Sequence, residues 1–405
     1  MAIATTPTAT PFYLSLLLAR LADQILLFIV PLVVYQHTQS TSLTGWAFFV
    51  ESLARFGSYP ICGILSDRHP PLQLLRQSQM WRAAVSACGV LLWVLPYIAP
   101  HLLPGHTDIV VLVIISAACG VFTTQGVMGR EVLLPLAFES GHGLQRIVAQ
   151  TQIADQIGMV AGPALAGLAL ALLPWQGVLV ITAVLFVLAD LSLAWWQRSA
   201  VIRPHHAADE PQNWWPAMRT ALGHLWHVKG LKTATLITSG ITLMLGITQA
   251  TAAAMFMGWL QQTPSQYAHL QTGGAMATIA VLAWIARSQW RGHTNGMMAY
   301  AMMWVGVLIT LLVPHPWAYT AGFLLVIGFD KMFAVYNRML RQRLVPAQDL
   351  GKTTGVLVLL NNLSQPLSGL LVGVFAQAAD ARPLIACIAA WVAALGSLWW
   401  WQRRV

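Results

Sequence analysis

Residues 175–197 read WQGVLVITAVLFVLADLSLAWWQ, and residues 198–215 continue RSAVIRPHHAADEPQNWW. The first stretch holds a single charged residue, Asp190, and is bounded by tryptophans. A bilayer core about 30 Å thick is crossed by roughly 20 apolar residues at a helical rise of about 1.5 Å each. Trp195 and Trp196 fall where an interfacial aromatic belt belongs. The second stretch gathers Arg198, Arg203, His205, His206, Asp209, Glu210 and Pro211. A membrane-length apolar run followed by a polar break predicts a spanning helix that exits into a linker.

Outward from this junction the pattern repeats. Apolar runs of spanning length fall near 12–35, 44–66, 80–103, 109–134, 147–173 and 175–197, then near 231–259, 268–287, 296–313, 317–340, 353–377 and 383–402. Only 9% of the 405 residues are charged and 57% are hydrophobic. A soluble domain is about a quarter charged, so this chain cannot cover a water-facing surface. Twelve spans of about 22 residues fit its length. The expectation is an all-α membrane protein of twelve transmembrane helices. It divides into an N-terminal six-helix bundle (1–198), a linker (199–229) and a C-terminal six-helix bundle (230–405). Within the linker, residues 217–228 are expected to form a short helix lying in the membrane interface.

The net charge of +9 does not imply nucleic acid, because the basic residues sit beside apolar spans rather than in one patch. Apart from Arg20, Arg55 and Lys331 within spans and Arg382 on the opposite side, the 22 Lys and Arg fall on one side of the expected topology. They include Arg68, Arg76, Arg82, Arg130 and Arg198. The bias predicts a multi-pass protein of the cytoplasmic (inner) membrane with both termini cytoplasmic. The first apolar run carries Arg20 and Asp23 and is read as a retained span. Cys62, Cys88, Cys119 and Cys387 lie in apolar runs without ligand spacing, which predicts neither a disulfide framework nor a zinc site.

The halves echo each other. Span four ends Gly129-Arg130-Glu131 before Pro135, and span ten ends Arg341-Gln342-Arg343 before Pro346. Span five carries Pro163 and span eleven Pro366 at similar depth. Two six-span repeats imply parallel repeats about an axis along the membrane normal.

Two motifs carry a family resemblance. Gly63-Ile64-Leu65-Ser66-Asp67-Arg68 resembles the cytoplasmic-loop signature of the major facilitator superfamily, with His69-Pro70-Pro71 replacing its following Gly and basic residues. By this resemblance Gly63 permits close helix approach, and Asp67 pairs with Arg130 to hold a cytoplasmic gate. Gly158, Gly162, Pro163 and Gly167 resemble the span-five motif of the superfamily's exporters, with Ala166 replacing one glycine. Small residues four apart let helices approach closely. The resemblance implies a major facilitator fold, alternating access and export. Asp23, Arg130-Glu131, Ile153-Ala154-Asp155-Gln156-Ile157 and Phe329-Asp330 also resemble the ferroportin branch. Vertebrate members of that branch add Cys or His ligands in the C-terminal half. Here span seven has no cysteine, and Ser368 stands near the histidine position of span eleven.

Ionisable residues inside spans are Arg20, Asp23, Glu51, Arg55, Asp155, Asp190, Asp330 and Lys331. Each costs about 2.5–3.5 kcal/mol at a helix centre, so each needs a partner or a cavity. Arg20 with Asp23, and Glu51 with Arg55, share helix faces and can neutralise each other. Asp190 is expected to reach a tail arginine. A desolvated carboxylate suits proton exchange, which makes Asp23, Asp155 and Asp330 candidate proton carriers. Asp155 has no cation within a helical turn. Candidate cavity residues are Arg20, Glu51, Arg55, Thr123, Thr124, Gln125, Gln156, Thr248, Gln249, Thr251, Lys331, Tyr336 and Asn337. Polar groups of this kind serve interhelix hydrogen bonds equally well.

The expected function is a proton-coupled exporter of a small polar or amphiphilic organic molecule, siderophore-like or drug-like. The alternative is a ferroportin-like exporter of iron or another divalent metal, with Asp23 as an oxygen ligand, although selective transition-metal sites normally recruit nitrogen or sulfur. A third reading is a membrane receptor without transport. No nucleotide loop, metalloprotease helix or nucleophile elbow occurs, so no enzyme is expected. The expected partners are a small-molecule substrate, protons and the lipid bilayer. No cofactor or nucleic acid is called for, and a monomer is expected.

Overall fold

The computed structural model describes residues 9–98, 107–138, 142–200, 202, 214–228, 230–287, 292–345, 350–376 and 379–402. The helices are α1 (Thr10–Thr38), α2 (Thr41–Gly57), α3 (Tyr59–Arg68), α4 (Pro71–Ile98), α5 (Thr107–Ala137), α6 (His142–Leu172) and α7 (Trp175–Gln197). They continue with α8 (Trp214–His227), α9 (Leu231–Ala253), α10 (Pro264–Arg287), α11 (Gly292–Leu312) and α12 (Pro316–Leu344). The last are α13 (Leu350–Asn362), α14 (Ser364–Phe375) and α15 (Arg382–Gln402). Helix is what a hydrocarbon solvent permits, because every backbone N–H and C=O is satisfied within its own segment. Among the described residues, nine helices are long and apolar enough to cross a membrane by length and composition.

Two expected spans are divided. The second forms α2 and α3, which meet at Ser58 with Pro60 at the start of α3. The eleventh forms α13 and α14, with Pro366 in the first turn of α14. Proline removes a donor and crowds the carbonyl one turn back, so a helix readily restarts there. Pro163 instead lies inside α6 without ending it. The seventh span extends α9 by a π-helical turn, Ala254–Trp259.

The chain gathers into two compact units, Met1–Val33 with Ala54–Gln212, and Val34–Leu53 with Asn213–Val405. In the first unit α4 packs against both α5 and α7. Phe12, Leu16, Leu75, Leu133, Leu193 and Trp196 form a buried cluster there. Helices α1 and α6 touch through the span-five glycines. A Cβ on Gly158 would stand 2.8 Å from Cγ of Arg20, and one on Gly162 would collide with Cβ of Gln24.

In the second unit α12 packs against α10 and α11, while α9 packs against α14 and α15. Residues 34–53 belong here because glycines admit them. A Cβ on Gly45 would strike the backbone of Gly373, and one on Gly369 would stand 2.5 Å from the backbone N of Phe49. The Ser42 hydroxyl also donates to the Gly373 carbonyl. The linker helix α8 packs on α13 and α9, and Lys232 Nζ lies 3.8 Å over the ring of Trp226. The polar linker residues 203–213 fall outside the described residues.

Leu168, Leu172, Leu188, Leu191 and Trp195 are exposed along α6 and α7. In a bilayer such an apolar face meets lipid rather than water.

Candidate functional site

The first unit encloses a cavity of about 240 Å³ among α1, α4, α5 and α6. Arg20, Asp23, Gln79, Arg82, Thr123, Arg130 and Asp155 all line it. Here the expected partners of Asp23 and Asp190 are corrected, and Asp155 gains a partner that its own helix does not supply.

Asp23 is not neutralised by Arg20 on its own helix. Its carboxylate accepts from Nη1 of Arg82 at 3.0 and 3.1 Å and from the Thr123 hydroxyl at 2.9 Å. The side chains of Arg82 and Asp23 are only 4% and 7% exposed. Arg82 is therefore not a charge at the membrane edge. The apolar run begins near residue 80, but α4 begins at Pro71, which carries Arg82 about three turns inside the helix. Arg82 Nε donates to the Ser78 carbonyl, and the guanidinium lies 4.5 Å from the Phe186 ring centre. A buried guanidinium needs this saturation, because each unmet donor would carry a desolvation penalty.

Asp155 does have a cation beside it, supplied by another helix. Arg130 Nη1 donates to its two oxygens at 3.0 and 3.2 Å. Arg130 also stands 3.7 Å from Glu131, which is 60% exposed. Asp190 pairs with Arg76 rather than with a tail arginine, through two 3.0 Å hydrogen bonds.

Arg20 differs from the other two arginines. It makes no hydrogen bond or ion pair among the described residues; its Nε, like that of Arg130, is buried without a partner. The charged groups that act on it are Asp155, Asp23, Arg55 and Arg130. Gln79 is fully buried and donates from Nε2 to the Ser15 hydroxyl at 3.0 Å, leaving its Oε1 without a partner. Gln79 and Arg82 are site residues that sequence reasoning missed. Their signal was an Arg and a Gln on one face of a helix longer than its apolar run.

The remaining candidates divide. The Thr124 hydroxyl donates to the carbonyls of Arg55 and Gly120, and Gln125 donates to that of Leu74, so both stitch helices together. Gln156 is half-buried on α6 with its Oε1 unpartnered. Glu51 is buried on α2, with the Ser52 hydroxyl 3.4 Å from it. Thr248 and Thr251 turn back onto the carbonyls of Met244 and Ile247, and Gln249 is half-buried on α9.

The second unit holds its own cavity of about 200 Å³, lined by Thr238, Thr242, Asp330, Lys331, Asn337 and Asn361 among others. Lys331 Nζ lies 3.1 Å from Asp330. Tyr336 packs against Gly296, where a Cβ would meet its ring at 2.5 Å, and its ring neighbours Phe333.

Of the loop-signature residues, Arg68 ends α3 and is exposed. The side chain of Asp67 lies outside the described residues. Gly63 is a correction: a Cβ there would meet nothing within 4 Å, so no close helix approach depends on it. Gly167 is half-buried on α6. Arg382, the basic residue on the other side of the sequence bias, is paired. Its Nε and Nη2 donate to Asp380 at 2.6–3.0 Å, and it lies 4.1 Å over the Trp259 ring. The guanidinium holds the Asp380 carboxyl below its ordinary range.

Among the described residues no group of three or more His, Cys, Asp or Glu side chains converges. Helices with buried ion pairs and polar cavities inside their apolar spans define the architecture of a membrane transporter. The Major Facilitator Superfamily profile matches residues 12–369, and the chain belongs to that superfamily.

The multidrug efflux pump Tap of Mycobacterium tuberculosis is 25% identical over 276 residues, covering 67% of this chain and 65% of Tap. The same match is found with Tap of Mycobacterium bovis. The aligned region thus spans just under two thirds of that relative. In fold, the chain resembles a bacterial homologue of the iron transporter ferroportin in its inward-facing state, with a TM-score of 0.74 at 17% identity over 98% of both chains. It also resembles the nucleoside transporter NupG, with a TM-score of 0.71 at 14% identity over 96% of this chain and 98% of that one. At such identities these likenesses concern the fold.

Proposed function

We propose that this protein is a proton-coupled exporter of small polar or amphiphilic organic molecules, working by alternating access in the cytoplasmic membrane. The observation that carries this reading is the pair of carboxylate–guanidinium contacts in one cavity, Asp23 with Arg82 and Asp155 with Arg130. A guanidinium and a proton compete for the same carboxylate oxygens. Protonation of either aspartate releases its arginine, and rearrangement of the arginine restores an acidic group. That exchange links proton uptake to helix movement. The span-five glycines of α6, which face α1, and the likeness to an efflux pump favour outward transport.

The fold likeness to a ferroportin homologue raises the divalent-metal alternative. The charges in the cavity oppose it. Three arginines face two aspartates, so a dication would enter a site already positive. The carboxylate oxygens it would need are also held by arginine.

Everted membrane vesicles test both readings. Energised vesicles should accumulate tetracycline, and a protonophore should abolish accumulation. Asp23→Asn or Asp155→Asn should abolish gradient-driven accumulation while binding persists. Accumulation that ignores the proton gradient overturns the coupling. Tight binding of ferrous or cobalt ions by the purified wild type, lost in Asp23→Asn, replaces this reading with metal export.

A further inference from the structure

We infer that Arg20 anchors an anionic group, in the first instance a carboxylate, on the molecule that the cavity takes up. The inference names a substrate class for the site and rests on the exporter reading above.

The cavity contains three guanidiniums, and two are committed. Arg82 is spent on Asp23, the Ser78 carbonyl and the Phe186 ring, and Arg130 is ion-paired through Nη1 with Asp155, although its Nε has no partner. Arg20 keeps its donors, with Nε buried and unpartnered. Asp23 and Asp155, which line the same cavity, are already ion-paired with Arg82 and Arg130. The lining residues therefore carry one positive charge more than they neutralise.

Arg20 is also held in position. Gly158 leaves room for its stem, and a methyl group there would stand 2.8 Å from Cγ and 3.0 Å from Cβ of Arg20. A guanidinium presents its donors as a planar fork that matches a carboxylate with two parallel hydrogen bonds. Inside a low-dielectric cavity such a bond is stronger than at a surface. Gln79 adds a second, independent feature. It is fully buried, lines the same cavity and leaves its Oε1 unpartnered, ready to accept from a hydroxyl or N–H beside the anion. A cavity of about 240 Å³ holds the anionic end of a small organic acid.

The test uses purified full-length protein in nanodiscs at neutral pH and three acid–amide pairs. The pairs are benzoate with benzamide, 4-phenylbutyrate with its amide, and indole-3-acetate with its amide. At least one acid should bind tenfold or more tightly than its amide. Arg20→Gln should erase that preference, and a cooperative thermal unfolding transition reports that the variant is folded. Arg20→Lys should retain part of the preference, because the charge remains and the fork is lost. Equal binding of acids and amides, absence of binding by every acid, or a preference that survives Arg20→Gln overturns the inference. So does competition by inorganic phosphate at the acid's own concentration, which would mark a site for free anions. Vesicle accumulation of tetracycline is scored separately. Its loss with the acid preference intact removes the exporter reading while the anion site stands, and the reverse result removes the anion site alone.

Discussion

Asp23 and Arg82 are 59 residues apart in sequence and share a buried ion pair whose two contacts measure 3.0 and 3.1 Å. The pair joins α1 to α4, and the Thr123 hydroxyl extends it to α5. Three helices of the first unit are thus tied through one carboxylate. Removing one member of a buried pair leaves the other charged and uncompensated, a loss of about 3–5 kcal/mol. Arg82→Ala and Asp23→Ala should each lower the thermal unfolding temperature of the purified protein by many degrees. The double variant Asp23→Asn with Arg82→Gln should recover a large share, since no net charge stays buried. Equal instability of the double and single variants would show that packing, rather than charge, makes the contribution.

Arg130 separates two roles. The loop-signature resemblance makes it a gate partner of Asp67, whereas its Nη1 lies on Asp155. Arg130→Gln should reproduce the effect of Asp155→Asn on gradient-driven transport, because each disrupts the same pair. Asp67→Asn should slow turnover with little change in substrate affinity. Identical profiles for Asp67→Asn and Arg130→Gln, distinct from Asp155→Asn, would return Arg130 to the gate.

The glycines give opposite expectations. Gly162→Ala places a methyl group against Cβ of Gln24, and overpacking of this kind costs about 1–3 kcal/mol. Gly63→Ala meets nothing within 4 Å and should change stability by less than about 0.5 kcal/mol. Thermal unfolding of the two variants in one detergent compares them directly. A destabilised Gly63→Ala beside an unaffected Gly162→Ala would contradict the packing of α1 on α6.

Orientation is open to labelling. The Lys and Arg distribution predicts both termini and the loop at 69–75 on the cytoplasmic side, with Thr107 on the other. Single cysteines at Gln73 and Thr107, in a background lacking the native cysteines, should react with an impermeant maleimide from opposite faces. Reaction from the same face would overturn the topology.

The apolar runs by themselves determined that the chain is a bundle of membrane helices, because a hydrocarbon solvent leaves the backbone no other open arrangement. The linker after Gln197 and the glycine spacing of span five were equally legible, since spacing along one helix is a local property. The breaks at Pro60 and Pro366 and the unbroken helix through Pro163 were not. Proline interrupts a helix only where its neighbours can satisfy the freed carbonyls.

The partners of the buried charges were decided by tertiary structure alone. Sequence neighbours suggested Arg20 for Asp23 and no partner for Asp155, while the fold supplies Arg82 and Arg130 from other helices. Residues three or four apart on a helix share a face, but a charge in a membrane goes to whichever opposite charge the packing brings within about 3 Å. That placement leaves Arg20, rather than either aspartate, as the cavity's unpaired charge.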